Sequence, residues 1–179
     1  MADSPKRRLI LLRHAKSAWP DVADQDRPLA GRGRRAAPAA GRWLRESGHL
    51  PDLVLCSTAL RARETWQLAE KELGARPRTT FERRVYGASA TELLDLARET
   101  PSSVRTLMIV GHEPTMSDLT LELAGDDGGS ALDRVRAKFP TAAIAILIFA
   151  AGWPELGPGK ARLAEFVVPG DLRTAHGKG

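Results

Sequence analysis

Arg13-His14, Arg61 and His112 are the residues of this 179-residue chain whose types suit phosphate chemistry. A neutral imidazole can attack phosphorus, and a guanidinium offers a fork of donors that fits phosphate oxygens. Taken singly, each has a plainer reading. A histidine or arginine at the end of a strand is commonly packed or solvated, Arg61 could be a surface cation, and His112 a structural imidazole in an ordinary turn. Taken together, they give a nucleophile, two permanent cations and a second imidazole, a set matched to binding and transferring a phosphoryl group.

The elements expected to carry them bring the four residues to one place. Leu9-Ile10-Leu11-Leu12, after the basic Lys6-Arg7-Arg8, reads as a buried strand of a parallel sheet and stops at Arg13-His14. A second strand, Asp52 to Cys56, runs into a helix opened by a Ser57 or Thr58 cap, with Arg61 in its first turn. That turn carries the positive end of the helix dipole, so an arginine there is uncomfortable without a nearby anion. A third strand, Thr106 to Val110, ends in Gly111-His112-Glu113-Pro114, where the proline can open the next helix. Open α/β sheets bind ligands beyond the carboxyl ends of their strands, and all three junctions fall there.

The remaining pattern is compact. A helix is expected from about Gly33 to Ser47, closed by Gly48, and Ser89-Ala90-Thr91-Glu92 forms a capping box for a helix to about Glu99, which explains Glu92 as a cap. The apolar run Ala142 to Ala151 is expected to be a central strand, and Leu163 to Val168 a last one. Trp19 to Pro28 reads as an acidic, proline-bounded loop, Asp126 to Lys138 as a surface excursion, and Thr174 onward as a loose tail. His49 and His176 are expected to be exposed and incidental. One domain, spanning 1–179, accounts for the whole chain.

Charge and composition narrow the function. A formal net charge of +5 raises the possibility of nucleic-acid binding, but the arginines are scattered and lack an aromatic platform or a groove-reading motif, so no nucleic-acid partner is expected. The longest apolar stretch is too short to cross a bilayer as a helix, and no secretory leader precedes Leu9. The single cysteine, Cys56, cannot form an internal disulfide and reads as a core residue. A cytoplasmic monomer without membrane contact is the resulting expectation. Asp126-Asp127 is an incomplete ligand set, so no metal is expected.

The three motifs resemble the histidine phosphatase superfamily, in which an Arg-His-Gly signature supplies the nucleophile and a later arginine and histidine complete the phosphate pocket. Arg13-His14-Ala15, Ser57-x-x-x-Arg61-x-x-x-Thr65 and Gly111-His112 are the matching stretches; Ala15 replaces the glycine, which preserves the turn if its φ is negative. Arg13-His14-Ala15-Lys16-Ser17, Asp26-Arg27-Pro28-Leu29, Tyr86-Gly87-Ala88-Ser89 and Phe139-Pro140-Thr141-Ala142 are similar to the compact phosphohistidine phosphatases of the SixA type. The resemblance covers nearly the whole chain. It implies a three-layer α/β sandwich of the phosphoglycerate mutase-like kind, with a mostly parallel central sheet flanked by helices. It also implies Arg13, His14, Arg61 and His112 as catalytic residues, a covalent phosphohistidine on His14, and Arg27 as a substrate-binding residue, unless Arg27 is simply paired with Asp24 or Asp26. No metal or organic cofactor is implied. Substrate choice turns on proton delivery, because an alkoxide leaves poorly without a general acid. Arg83 stands where the mutases of the superfamily carry an acid before Tyr-Gly, and Glu82 lies one residue too early. Glu113 stands where other branches place an acid, or is a carboxylate favoured at a helix start. Phosphohistidine on a protein, such as a histidine phosphotransfer domain, is the leading substrate. A small phosphorylated metabolite acted on by a phosphomonoesterase, and a phosphate-binding module without turnover, are the alternatives.

Overall fold

Four apolar runs pair side by side. The computed structural model describes residues 5–126 and 129–169, so the expected tail from Thr174, His176 and Asp127 lie outside the described residues. The strands are β1 (Arg7–Arg13), β2 (Leu53–Ser57), β3 (Arg78–Glu82), β4 (Thr106–Gly111), β5 (Ile144–Phe149) and β6 (Arg162–Val167). They form one sheet in the order β3-β2-β4-β1-β5-β6. β1 to β4 run parallel, while β5 is antiparallel to β1 and β6 to β5. The helices are α1 (Gly31–Ser47), α2 (Leu60–Leu73), α3 (Ala90–Arg98), α4 (Thr115–Ala124) and α5 (Ser130–Ala137).

Alternation along β1 separates the two helical layers. Ile10 and Leu12 pack with Ala40 and Leu44 of α1 and Trp66 and Ala69 of α2, whereas Leu9 and Leu11 pack with Leu93 of α3, Leu119 of α4 and Leu132 of α5. A strand buried on both faces needs an unbroken apolar run, which is why β1, β2 and β4 are conspicuous in the sequence. The α1–α2 contact is close because Gly41 faces the Ala69 carbonyl oxygen, which would lie 2.1 Å from a Cβ at that position. Gly48, with φ of 76°, ends α1 as expected.

Several expectations are corrected. The run from Ala142 to Ala151 forms β5, a buried interior strand between β1 and β6 as expected, but one that departs from the parallel sheet by running antiparallel to β1. The reason is local, since the Ala142 amide bonds to the Arg13 and His14 carbonyls, so β5 begins where β1 ends and must run back along it. Ala142 makes that turn in the left-handed region, at φ of 62°. The surface excursion contains α5, which buries Leu132 and Val135. Edge strand β3 went unrecognised because it is polar and mostly exposed. No serine or threonine caps α2, whose N-cap is Ala59. His49 is half-buried: its Nδ1 accepts from Arg8 at 2.9 Å and its ring stacks on Trp43 at 5.5 Å. Ser89 and Glu92 do form the expected cap of α3. No helix among the described residues is long and apolar enough to cross a membrane.

Candidate active site

Strand register sets the two imidazoles at one level. Arg13 at the end of β1 pairs with Gly111 at the end of the neighbouring parallel β4, and the His14 amide donates to the Gly111 carbonyl at 3.0 Å. His14 and His112 therefore leave the sheet side by side, with ring centroids 5.2 Å apart. A hydrogen bond fixes the His14 ring. Nδ1 lies 2.7 Å from the Ala15 carbonyl oxygen, which can only accept, so Nδ1 carries the hydrogen and Nε2 keeps its lone pair. Burial, with nearby His112, Arg61 and Arg13, lowers the His14 pKa to about 3, even though the Ala15 bond favours the charged ring.

The turn after β1 is tied to α2. The Ala15 amide donates to Thr65 Oγ1 at 2.9 Å, and that hydroxyl donates to the Arg61 carbonyl at 2.7 Å. Ala15 does not adopt a positive φ, so the alanine fits where the family signature has glycine. On the other side, Gly33 in the first turn of α1 admits the Lys16 carbonyl, which would lie 2.2 Å from a Cβ there. Arg13 donates to the Phe139 carbonyl at 2.8 Å, and its Nε is buried without a protein partner. Burial lowers the Arg13 pKa from its ordinary value, opposed by Glu113.

Arg61 and Arg27 are both buried and share one partner that sequence reasoning gave only as a possible mate for Arg27. Asp24, in a short 3-10 turn, accepts from Arg61 through its backbone carbonyl at 2.8 Å and its carboxylate at 3.1 Å. The same carboxylate accepts from Arg27 Nε at 3.2 Å and from the Tyr86 hydroxyl at 2.6 Å. The Tyr86 bond first, then Arg61 and Arg27, lowers the Asp24 pKa to about 2. Arg27 also donates to Ser17 Oγ at 3.0 Å. The signal for this cluster was an aspartate three residues before an arginine inside an acidic loop, too common a pattern to single out.

His112 is held from two sides. Its Nε2 lies 2.8 Å from Ser57 Oγ, which also accepts the Ala59 amide at 3.2 Å, and its ring meets Tyr86 edge-on at 5.7 Å. Burial, followed by repulsion from Arg61, lowers its pKa to about 4, with Asp24 acting in the opposite direction. Ser57, at the end of β2, was read only as a helix cap; its contact with His112 depends on β2 lying next to β4, which spacing alone does not reveal. Glu113 turns back onto α4, where its two carboxylate oxygens accept from the Ser117 amide at 2.7 Å and the Ser117 hydroxyl at 2.8 Å.

All five expected site residues, Arg13, His14, Arg27, Arg61 and His112, line one open cleft of about 280 Å³, with Glu113 at its side. Three guanidiniums and two uncharged imidazoles converge there, an arrangement that can receive a phosphoryl dianion and offer it a nucleophilic nitrogen.

Comparison with known proteins agrees with this geometry. The sequence profile of the Histidine phosphatase superfamily (branch 1) matches residues 9–86. An uncharacterized protein of Mycobacterium tuberculosis is 47% identical over 161 residues, covering 88% of this chain and 99% of that protein. A structure from Nakamurella multipartitia, provisionally named phosphohistidine phosphatase SixA, superposes with a TM-score of 0.82 at 34% identity, covering 94% of this chain and 99% of the other. A similarly named structure from Agrobacterium tumefaciens gives 0.78 at 31% identity, with 91% and 98% covered. With a six-stranded, mostly parallel sheet of the phosphoglycerate mutase-like kind and these relatives, the chain belongs to the histidine phosphatase superfamily and is a SixA-like phosphatase.

Proposed function

We propose that the protein removes phosphoryl groups from phosphohistidine side chains of other proteins through a covalent phosphohistidine on its own His14. Nε2 of His14 attacks phosphorus in line while Arg13, Arg27 and Arg61 hold the equatorial oxygens. In the tautomer that lets Ser57 donate to His112 Nε2, the hydrogen sits on Nδ1, a buried donor with no protein partner, and we assign that unpaired hydrogen to a phosphate oxygen. The P–N bond of the substrate breaks as the new P–N bond to His14 forms. The departing imidazole, protonated beforehand on its distal nitrogen, leaves neutral. Water then attacks the phosphoenzyme, releasing inorganic phosphate and restoring His14.

One observation favours a P–N substrate: among the described residues, the carboxyl groups at the cleft are engaged elsewhere rather than free to protonate a leaving alkoxide. Asp24 is held ionised by Tyr86, Arg61 and Arg27, and both Glu113 oxygens are engaged by Ser117 at the start of α4. An alkyl phosphate needs such an acid, whereas a phosphorylated imidazole brings its own proton. Hydrolysis of a phosphohistidine protein, 3-phosphoglycerate and glucose 6-phosphate, measured with a chelator present, tests the reading. The phosphohistidine protein is expected to be preferred by at least about 100-fold in kcat/KM, a difference of roughly 2.7 kcal/mol. Faster turnover of either ester would instead make the enzyme a small-molecule phosphomonoesterase. In the same assay Glu113→Gln should lower all three rates by a similar factor, because its role is to cap α4.

A further inference from the structure

The cleft is lined by charged and hydroxyl-bearing side chains and the two histidines, with one exception, Trp19. The residue is 77% exposed, an unusual position for one with so large an apolar ring. It is nevertheless held in place, because the Arg27 guanidinium carbon lies 3.6 Å from the ring centroid, and Arg27 is itself fixed by Asp24, Ser17 and the Ala18 carbonyl. The cation covers one face of the indole and leaves the rest of the ring open at the cleft. A phosphoryl group seated among the arginines projects its leaving group toward solvent, and the apolar surface available to that group is a flat, pre-positioned π system.

We propose that Trp19 is a specificity-determining residue whose open surface stacks against the imidazole of the phosphorylated side chain, an inference that rests on the phosphohistidine reading above. Ring against ring satisfies the aromatic geometry at little entropic cost, since the indole is already clamped. A leaving group without a ring gains nothing from it. Phosphoramidate and N-phosphoimidazole separate the two cases, because both present a P–N bond and only the second presents a ring.

Steady-state hydrolysis of both compounds, with glucose 6-phosphate as a third substrate, by the wild type, Trp19→Phe and Trp19→Leu is the test. Trp19→Leu uncovers Arg27 and lowers kcat/KM for both substrates, but for N-phosphoimidazole the loss is expected to be about 3- to 10-fold larger, and carried by KM because the stack persists from ground state to transition state. Trp19→Phe should recover most of that extra factor. Equal losses on the two compounds in both variants would overturn the proposal and leave Trp19 as a cover for Arg27 alone. A larger loss on glucose 6-phosphate than on N-phosphoimidazole would overturn it in favour of a sugar-facing wall. A wild type that hydrolyses phosphate esters but neither P–N compound would overturn the phosphohistidine reading itself, and the stacking role with it.

Discussion

One hydrogen bond decides which nitrogen of His14 can react. By donating from Nδ1 to the Ala15 carbonyl, the ring leaves Nε2 with its lone pair, the atom that the proposed mechanism uses as nucleophile. With its pKa lowered to about 3, and that of His112 to about 4, from an ordinary 6.5, both rings stay neutral across the physiological range. Accordingly neither ring should impose an acid limb on kcat/KM between pH about 8 and about 5, where protonation of the substrate's own distal ring nitrogen raises the rate as pH falls; a steep loss of activity below about pH 6.5 would contradict the assignment. Stability carries the same signature. As pH falls through 6.5 the unfolded chain protonates both imidazoles while the folded protein does not, so stability present above 6.5 is lost progressively toward about pH 3. Denaturant titrations at pH 7 and pH 5 should show that loss; equal midpoints would contradict it. Arg61→Ala removes a buried cation and breaks its double contact with Asp24. It should cost about 100- to 1,000-fold in kcat, as for loss of a pre-oriented transition-state donor. At this scale the sequence was most legible, since each expected site residue lines the cleft. What it hid were the residues that orient them, Asp24 and Ser57, whose contacts exist only after loops and neighbouring strands meet.

Among the elements, β1, β2 and β4 announced themselves because burial on both faces demands continuous aliphatic runs. The polar edge strand β3 could not, and the direction of β5 could not, because its apolar run looks the same in either direction. The helix expected from Gly33 to Ser47 was nearly right, with α1 beginning two residues earlier at Gly31. What the glycines inside it do was not visible: Gly41 lets α1 lie against α2, and Gly33 lets α1 approach the turn that follows His14. Gly41→Ala would place a methyl against backbone and should destabilise the fold by about 1–3 kcal/mol in denaturant melts, with kcat preserved in the folded fraction. An unchanged melting midpoint would show that the helices can separate freely, contrary to this packing.

On the scale of the whole molecule, residues 13–14, 27, 61 and 112 meet only because parallel crossovers return each strand to the same edge of the sheet. The net charge of +5 has a role consistent with the site. Beside the candidate site's cleft lies a second hollow of about 240 Å³ that shares Lys16 and Thr141 with it and adds exposed Arg32, extending positive potential outward. For a phosphorylated protein substrate, kcat/KM should therefore fall several-fold as salt rises from about 0.02 to about 0.2 M, reflecting screened encounter. Salt-independent turnover would remove long-range steering from the account. The account's central claim is a phosphoryl group carried transiently on His14. Rapid-quench labelling with a phosphohistidine protein, followed by peptide mapping under alkaline conditions, measures it directly. An acid-labile phosphate on the peptide containing His14, formed and lost at rates competent for turnover and absent in His14→Ala, is the predicted result. Turnover that proceeds with no label there, or that survives in His14→Ala, would contradict it.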